Sequence, residues 1–383
     1  MKILAFADAH INAVQSGRWD NTTGLPVRVM DFLRSLDTII DTAIEKNVDL
    51  VIFAGDAYKN NTPSPAHQAA FDSRILRLEN AKIETYLLVG NHDMSSRSCD
   101  HALTTFKTFK AKYIHVVDEI ELIKTDAFDI VNLCWVHKSH LVTGEVIQQL
   151  ETLIEGMDPN TPNIFMGHCS IVGAKFSSER LIMLGDDLIL PSKLLTESDF
   201  DFVILGHIHK HQVIDDQIIY PGSIERVDWG ESGEDKGFII ADVRKDSCDW
   251  KFHKLDTRPM LDYKVLLESK EEIHQAIYRE MDKIDDGNMW KDDPGVMIRI
   301  KLQYPENWAG LINNQTIEQM FPDAFSVQIV HDPIREGRTR LDLDQEIAAY
   351  TPAELLQMWM GEKGIEESDQ DELLILAKDL IGS

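Results

Sequence analysis

Five short stretches carry side chains able to bind metal ions or move protons. They are "FADAH" with Asp8 and His10, "FAGDA" with Asp56, "LVGNHD" with Asn91, His92 and Asp93, "FMGHC" with His168, and "LGHIHKH" with His207 and His209. Carboxylate, amide and imidazole donors without thiolate suit Mn²⁺ or Fe²⁺, and admit Zn²⁺, rather than Ca²⁺ or a structural zinc. A carboxylate shared by two cations, a role open to Asp56, holds them roughly 3.5–4 Å apart, a spacing that activates a water and clamps a phosphoryl oxygen. A single Asp/His pair would carry little weight; an ordered series of five stretches carries much more. Asp186 in "LGDDL" competes with Asp56, because its flank Leu181–Leu184 is equally apolar and local pattern does not separate the two.

Each stretch must be delivered by an element, and the elements are legible. Lys2–Ala7, Asp49–Ala54 and Ile83–Val89 have strand-type apolar runs. Between them Val29–Ile44 and Pro65–Leu78 carry apolar residues at helical spacing, and Cys99–Phe109 reads as a third helix. Further strands fit Ile130–Val136, Asn163–Met166, Phe202–Leu205, Ile218–Tyr220 and Gly237–Val243. Early β-α-β-α alternation followed by more strands implies an α/β sandwich on a mixed sheet. The chemistry-bearing residues then sit at the carboxyl ends of strands, where the working crevice of open α/β sheets lies. In a strand, Asp8 and His10 would share a face.

Thr257-Arg-Pro259 reads as a linker. Beyond it Tyr263–Leu267, Glu271–Ile284, Val296–Leu302, Thr316–Met320 and Phe325–Val330 suggest a small β-α-β-α-β unit. Thr351-Pro-Ala-Glu354 offers an N-cap, a first-turn proline and a capping-box glutamate for a helix bearing Leu355, Leu356 and Trp359. Ser368 can cap a second helix with Leu373, Leu376 and Leu380. The expected divisions are 1–256, 257–335 and 336–383.

Composition sets bounds. The 383 residues leave room for more than one domain, and four scattered cysteines (Cys99, Cys134, Cys169, Cys248) point to reduced thiols. No apolar stretch nears the ~20 residues of a membrane span, so a cytoplasmic protein is expected. The net charge of −27 opposes bulk electrostatic attraction to nucleic acid; residues 341–383 alone hold eleven carboxylates against Lys363 and Lys378. No G-x-x-x-x-G-K-[ST] loop is present, so any ATP dependence must come from a partner.

The ordered series D-x-H, G-D, G-N-H-D, G-H, G-H-x-H resembles the calcineurin-like metallophosphoesterases. Motif order then favours Asp56, between the first and third elements, over Asp186. Within that superfamily "YPGSIERVDWGESGEDKGF" at 220–238, the small following domain and the helical tail are similar to SbcD-type nucleases, the nuclease subunits of DNA double-strand-break repair complexes. The resemblance implies a metallophosphoesterase β-sandwich flanked by helices, a small α+β capping domain and a C-terminal helical tail.

It also implies two Mn²⁺ ions, with Mg²⁺ or Fe²⁺ as substitutes. Asp8, His10 and His209 would hold one, Asn91, His168 and His207 the other, and Asp56 would bridge. His92 becomes the general acid or phosphate orienter, with Asp93 orienting His92. Arg226 either touches phosphate or pairs with Asp228 or Glu231. DNA ends, an SbcC-type coiled-coil ATPase docked on the tail and a homodimeric assembly are the implied partners. The activity implied is Mn-dependent 3′→5′ exonuclease and single-strand or hairpin endonuclease. A small-molecule or cyclic-nucleotide phosphodiesterase would share the metal motifs. His211, His101, His115, His137, His140, His253, His274 and His331 are expected to be structural, as is Cys169.

Overall fold

The computed structural model describes residues 1–383 apart from 14–16, 96–100, 110, 137–142, 177–187, 270–272, 285–294, 335–351, 364, 366–369, 371–372, 375–376 and 378–383. Asp186, Leu376, Leu380, His137 and His140 lie outside the described residues.

The chain separates into two units. The first is Met1–Asp262 with 293–298 and 323–326; the second is the rest. The first unit is built on two six-stranded mixed sheets. Strands β1 (Lys2–Phe6), β2 (Leu50–Phe53), β3 (Glu84–Leu88) and β4 (Ile114–Val117) run parallel, and β13 (Gly237–Arg244) and β14 (Ser247–Lys254) complete that sheet antiparallel beyond β1, giving the order β14-β13-β1-β2-β3-β4. The second sheet has the order β11-β12-β10-β7-β6-β5, from Gln212–Ile214, Ile218–Tyr220, Phe202–Gly206, Asn163–His168, Asp129–Leu133 and Leu122–Lys124. Its four central strands are parallel, and β5 and β11 close it antiparallel. A short parallel pair, β8 (Ser170–Ile171) with β9 (Ile189–Leu190), follows β7.

Period-two alternation divides the apolar residues between layers. Leu4, Phe6, Val51 and Phe53 face helices α1 (Val27–Glu45) and α2 (Pro65–Ala81), joining Val29, Phe32, Leu36, Phe71 and Ile75. Their strand neighbours Ile3, Ala5, Leu50 and Ile52 face the other sheet and pack with Ile130, Ile164, Met166, Phe202 and Ile204. On that sheet's outer side Val131, Phe165, Val203 and Leu205 meet Val146 and Leu150 of α4 (Thr143–Glu155). The result is two mixed sheets sandwiched between helices. The α2 start is well specified: Ser64 accepts from His67 N, and Pro65 occupies the first turn, where its missing N–H costs nothing.

Several expected boundaries move. The third helix, α3, is Thr104–Phe109, because His101 is first held by Asp118 at 3.1 Å and bridged to Met94. Strand β6 stops at Leu133, since Trp135 N crosses to Val89 O on the other sheet at 3.0 Å. Thr257–Pro259 is neither helix nor strand. It is pinned all the same: Arg258 meets Asp31 at 2.6 and 2.7 Å.

Most of a three-stranded sheet, β15-β16-β17 (Met260–Leu266, Met297–Pro305, Ser326–Ile334), falls in the second unit with helices Ile273–Ile284 and Asn314–Glu318. In the tail, helix Pro352–Glu362 leaves Leu355 and Leu356 half-buried, Trp359 41% exposed and Met360 buried; Leu373 is 43% exposed. No helix among the described residues is long and apolar enough to cross a membrane.

Candidate metal centre

The site forms where β1, β2, β3, β7 and β10 end. Asp8 and His10 follow β1, Asp56 follows β2, Asn91 to Asp93 follow β3, His168 ends β7, and His207 and His209 follow β10. Asp8 and His10 are not strand residues sharing a face, as expected from spacing. β1 ends at Phe6, and both adopt left-handed backbone (φ 51° and 41°), as do Asp56 (61°) and His207 (91°). Each such non-glycine conformation costs about 1–3 kcal/mol and persists only where its surroundings enforce it. Here the loops brace one another: Asp8 N donates to Gly55 O at 2.9 Å, His10 N to Asp56 O at 3.1 Å, and His207 N to Asp8 Oδ1 at 3.0 Å. The glycines of the motifs permit that closeness. A Cβ on Gly206 would lie 2.1 Å from Ala54 O, and one on Gly90 2.2 Å from Asp56 Oδ1.

The seven expected metal ligands come together. His10 Nε2 and His209 Nε2 are 2.9 Å apart, and His10 Nε2 is 3.7 Å from Asp56 Oδ2. His168 Nε2 is 3.4 Å from the same Asp56 oxygen and 2.9 Å from Asn91 Oδ1, which His207 Nδ1 approaches to 3.0 Å. Among the described residues two groups could hold a cation, Asp8–His10–His209 and Asp8–Asp56–His168, all buried. Asn91 is half-buried beside them.

The donor set fits divalent cations. A carbonyl oxygen can only accept, so His168 Nδ1 donates to Ala54 O at 2.7 Å and His10 Nδ1 to Tyr58 O at 3.3 Å. His209 Nδ1 donates to Glu231 Oε1 at 2.7 Å. In the neutral rings Nε2 is then the lone-pair nitrogen, and the lone pairs of His10 and His209 point at each other. That arrangement is repulsive without a positive charge between or beside them, and favourable with one.

Burial pushes His10 well below the usual imidazole range, reinforced by His209, which keeps it neutral and ligand-ready. Burial also opposes a charge on His168, yet Asp56 and Asp8 raise it to about 9. Burial likewise opposes an ionised Asp56, but the charged His168 beside it, which also bonds it, holds it well below the carboxylate range. Burial raises Asp8, against the pull of His168 and His209.

His92 is half-buried, with Nδ1 on Lys59 O at 3.0 Å and its N–H on Asp56 Oδ1 at 2.9 Å. The group orienting its ring is therefore the Lys59 carbonyl. Asp93 acts on the backbone instead: its buried carboxylate accepts from the amides of Asp56, Ala57, Tyr58 and Gly90 at 3.0, 3.2, 3.1 and 3.2 Å. Burial and the nearby Asp56 charge raise Asp93 to about 7.

Arg226 pairs with neither Asp228 nor Glu231 through its guanidinium. It donates to Thr257 Oγ1 (2.8 Å), Arg258 O (3.0 Å) and Glu234 O (2.9 Å), so all three bonds tie chain to chain. His211 bonds Tyr220 O and stacks on Phe252, His115 bonds Glu84, and His331 bonds Tyr304 and Asn314. Cys169 is buried in the core beside α4.

Sequence reasoning passed over three contributors. Glu231, at the end of the short 3-10 helix Trp229–Glu231, and fully buried Lys236 sit inside the quoted 220–238 segment, where a charge pair spaced i, i+5 gives no periodic signal. Trp135 lies beside His207, ring centroids 5.4 Å apart, and its position just past a strand end was the available clue.

Paired cation sites on buried Asp and His at strand ends, with a histidine held alongside, define a metal-dependent phosphoesterase. The chain belongs to the calcineurin-like phosphoesterase family, whose pattern matches residues 1–211. Solved structures similar to this chain include TT1561 of Thermus thermophilus (14% identity, TM-score 0.40, covering 66% of this chain and 98% of that one). A dimetal phosphatase from Danio rerio matches at 12% identity and TM-score 0.42 over 66% of this chain and 96% of that one. Nuclease MPE of Pseudomonas putida matches at 16% identity and TM-score 0.22 over 50% of this chain and 74% of that one.

Proposed function

We propose that this phosphoesterase is a Mn²⁺-dependent DNA nuclease, a 3′→5′ exonuclease and single-strand or hairpin endonuclease of a double-strand-break repair complex. The observation that carries the proposal is the place of the 220–238 segment, the stretch resembling SbcD-type nucleases. It is part of the catalytic scaffold, with Glu231 on His209 Nδ1 and Lys236 Nζ on His209 O at 2.9 Å. The helix bearing Leu355, Leu356 and Trp359, with Leu373, Leu376 and Leu380 beyond it, is proposed to dock on an SbcC-type coiled-coil ATPase in a cytoplasmic homodimeric assembly.

Two divalent cations, when bound here, would supply Lewis acidity toward a phosphoryl oxygen and an attacking water. Asp8, His10 and His209 would hold one and Asn91, His168 and His207 the other, with Asp56 between. The protein's own groups do the rest. Asp56 Oδ1 and the Lys59 carbonyl fix His92, which leaves His92 Nε2 as the nitrogen that carries a proton to the leaving 3′ oxygen. Burial lowers the His92 pKa despite Asp56, and an anionic phosphate alongside restores the proton. Asp93 keeps the Asp56 loop in register with Gly90.

A second reading, a small-molecule or cyclic-nucleotide phosphodiesterase, is favoured by the net charge of −27. The deciding experiment follows end-labelled duplex and hairpin DNA beside bis(p-nitrophenyl) phosphate, with Mn²⁺, Mg²⁺ or EDTA and His92→Ala as control. Mn²⁺-dependent DNA cleavage absent from the variant is expected. Cleavage of the small ester alone, persisting when the ATPase is added, would select the second reading.

A further inference from the structure

Glu231 and Lys236 are both fully buried, and neither belongs to the candidate ligand set. Glu231 Oε1 accepts a hydrogen bond from His209 Nδ1 at 2.7 Å, and its other oxygen meets Lys236 Nζ at 2.8 Å and accepts from Val227 N at 3.0 Å. Lys236 Nζ also bonds Glu234 Oε2 and the carbonyl oxygen of His209 itself, each at 2.9 Å. One ammonium thus grips both the backbone of the ligand and the carboxylate that holds its ring.

Burying such a pair brings little net stability, because desolvation of the two charges offsets their attraction. A packing role alone would be served as well by apolar side chains of similar volume. What distinguishes this pair is its target. His10 and His168 place Nδ1 on neutral carbonyls of Tyr58 and Ala54, whereas His209 places it on a carboxylate. A carboxylate there fixes the tautomer and makes Nε2 a stronger donor than a carbonyl does.

We infer that Glu231, held by Lys236, is a positioning residue that strengthens the Asp8–His10–His209 cation site selectively over its neighbour. The inference rests on the two-cation assignment of the centre and not on the identity of the substrate. Removing the Glu231 charge weakens one bound ion by roughly 10–100-fold, the usual effect of losing such an outer partner, and leaves the other near its original affinity. Turnover of a small phosphodiester recovers at high Mn²⁺, because occupancy and not the reacting geometry is what falls.

The test is Mn²⁺ titration of the full chain, followed by calorimetry and electron paramagnetic resonance. Wild type is expected to bind two ions. Glu231→Gln, which leaves Lys236 paired with Glu234, should bind two with one weakened. Glu231→Asp keeps the charge balance but draws the carboxylate away from Nδ1; it should show the same selective weakening and serves if the glutamine variant does not fold. Glu234→Gln removes the other carboxylate on Lys236 while leaving the His209 bond, and should stay within about threefold of wild type at both sites, well below the 10–100-fold effect of losing a direct outer partner. Unchanged affinities in both Glu231 variants would overturn the inference, as would equal weakening in Glu234→Gln. A wild-type chain that does not bind two Mn²⁺ would overturn the site assignment itself, and this inference with it.

Discussion

Gly90→Ala tests whether the loops at the strand ends are as tightly interlocked as their hydrogen bonds imply. Gly90 is not among the residues at positive φ, so alanine meets no backbone strain there. The added Cβ would, however, lie 2.2 Å from Asp56 Oδ1 and 2.4 Å from Asp56 N, where ordinary contact begins near 3.4 Å. The two loops must therefore separate by about 1.2 Å, the difference between 3.4 and 2.2 Å. Asp93 Oδ2 accepts from both Asp56 N and Gly90 N, so at least one of these charge-assisted bonds breaks. Overpacking costs about 1–3 kcal/mol and one lost bond to a carboxylate about 1.5–3 kcal/mol, which together lower stability by about 2.5–6 kcal/mol. Asp56 moves off its position between His10 and His168, and a misplacement of about 1 Å is worth roughly 10²-fold in rate. The assay pairs urea denaturation with Mn²⁺ stoichiometry and turnover of bis(p-nitrophenyl) phosphate. Gly144→Ala is the control, since nothing lies within 4 Å of its Cβ. A Gly90→Ala protein that binds two Mn²⁺ at native affinity and turns over at about the wild-type rate, without the roughly 10²-fold loss, would refute the reasoning.

Two further perturbations separate structure from chemistry. Arg226→Ala removes three bonds from a charged donor and should cost about 2–4 kcal/mol in urea melts, with KM for a small phosphodiester unchanged; a rise in KM at unaltered stability would restore Arg226 as a phosphate contact. Burial raises Asp72 to about 6, and its Oδ1 has no hydrogen-bond partner among the described residues. The folded state therefore holds the Asp72 proton more tightly than the unfolded chain, so this group's contribution falls as pH rises from about 4 to about 6 and stays as a penalty above. Asp72→Asn should accordingly be neutral near pH 4 and stabilising by about 1–2 kcal/mol at pH ~7.5 once solvent screening is allowed for. An equal effect at both pH values would contradict this.

The parallel core was legible because its strands are buried on both faces and read as unbroken apolar runs, as in "LVIF" at Leu50–Phe53. Strand β14 was missed although Cys248, Trp250 and Phe252 alternate and pack between the sheets; Lys251, His253 and Lys254 between and beyond them mask the period. β5 is three residues on an edge, too short for any pattern to declare itself. At the site, the candidate ligands could be picked out by residue type at strand ends. Their partners did not, since Glu231 on His209 and the Lys59 carbonyl on His92 depend on loop paths that no local period encodes.

The net charge of −27 and a phosphate substrate are compatible because they act at different distances. Among the candidate ligands Asp8 and Asp56 are the carboxylates, so two divalent cations leave a local excess of about two positive charges. At physiological ionic strength charges are screened over about 8 Å, so carboxylates farther away than that contribute little at the centre. They do act on a polyanion during approach, when many surface charges face it together. For a basic nuclease, added salt weakens association with DNA because releasing counterions then gains less. For this isolated chain the dominant long-range term is repulsion, so raising KCl from about 20 to about 150 mM should speed association with a labelled hairpin or leave it unchanged, while turnover of a small phosphodiester stays level. Measured kcat/KM for hairpin cleavage at fixed Mn²⁺ decides it. A steep fall with salt would mean that a basic surface patch, not the metal centre, captures the DNA.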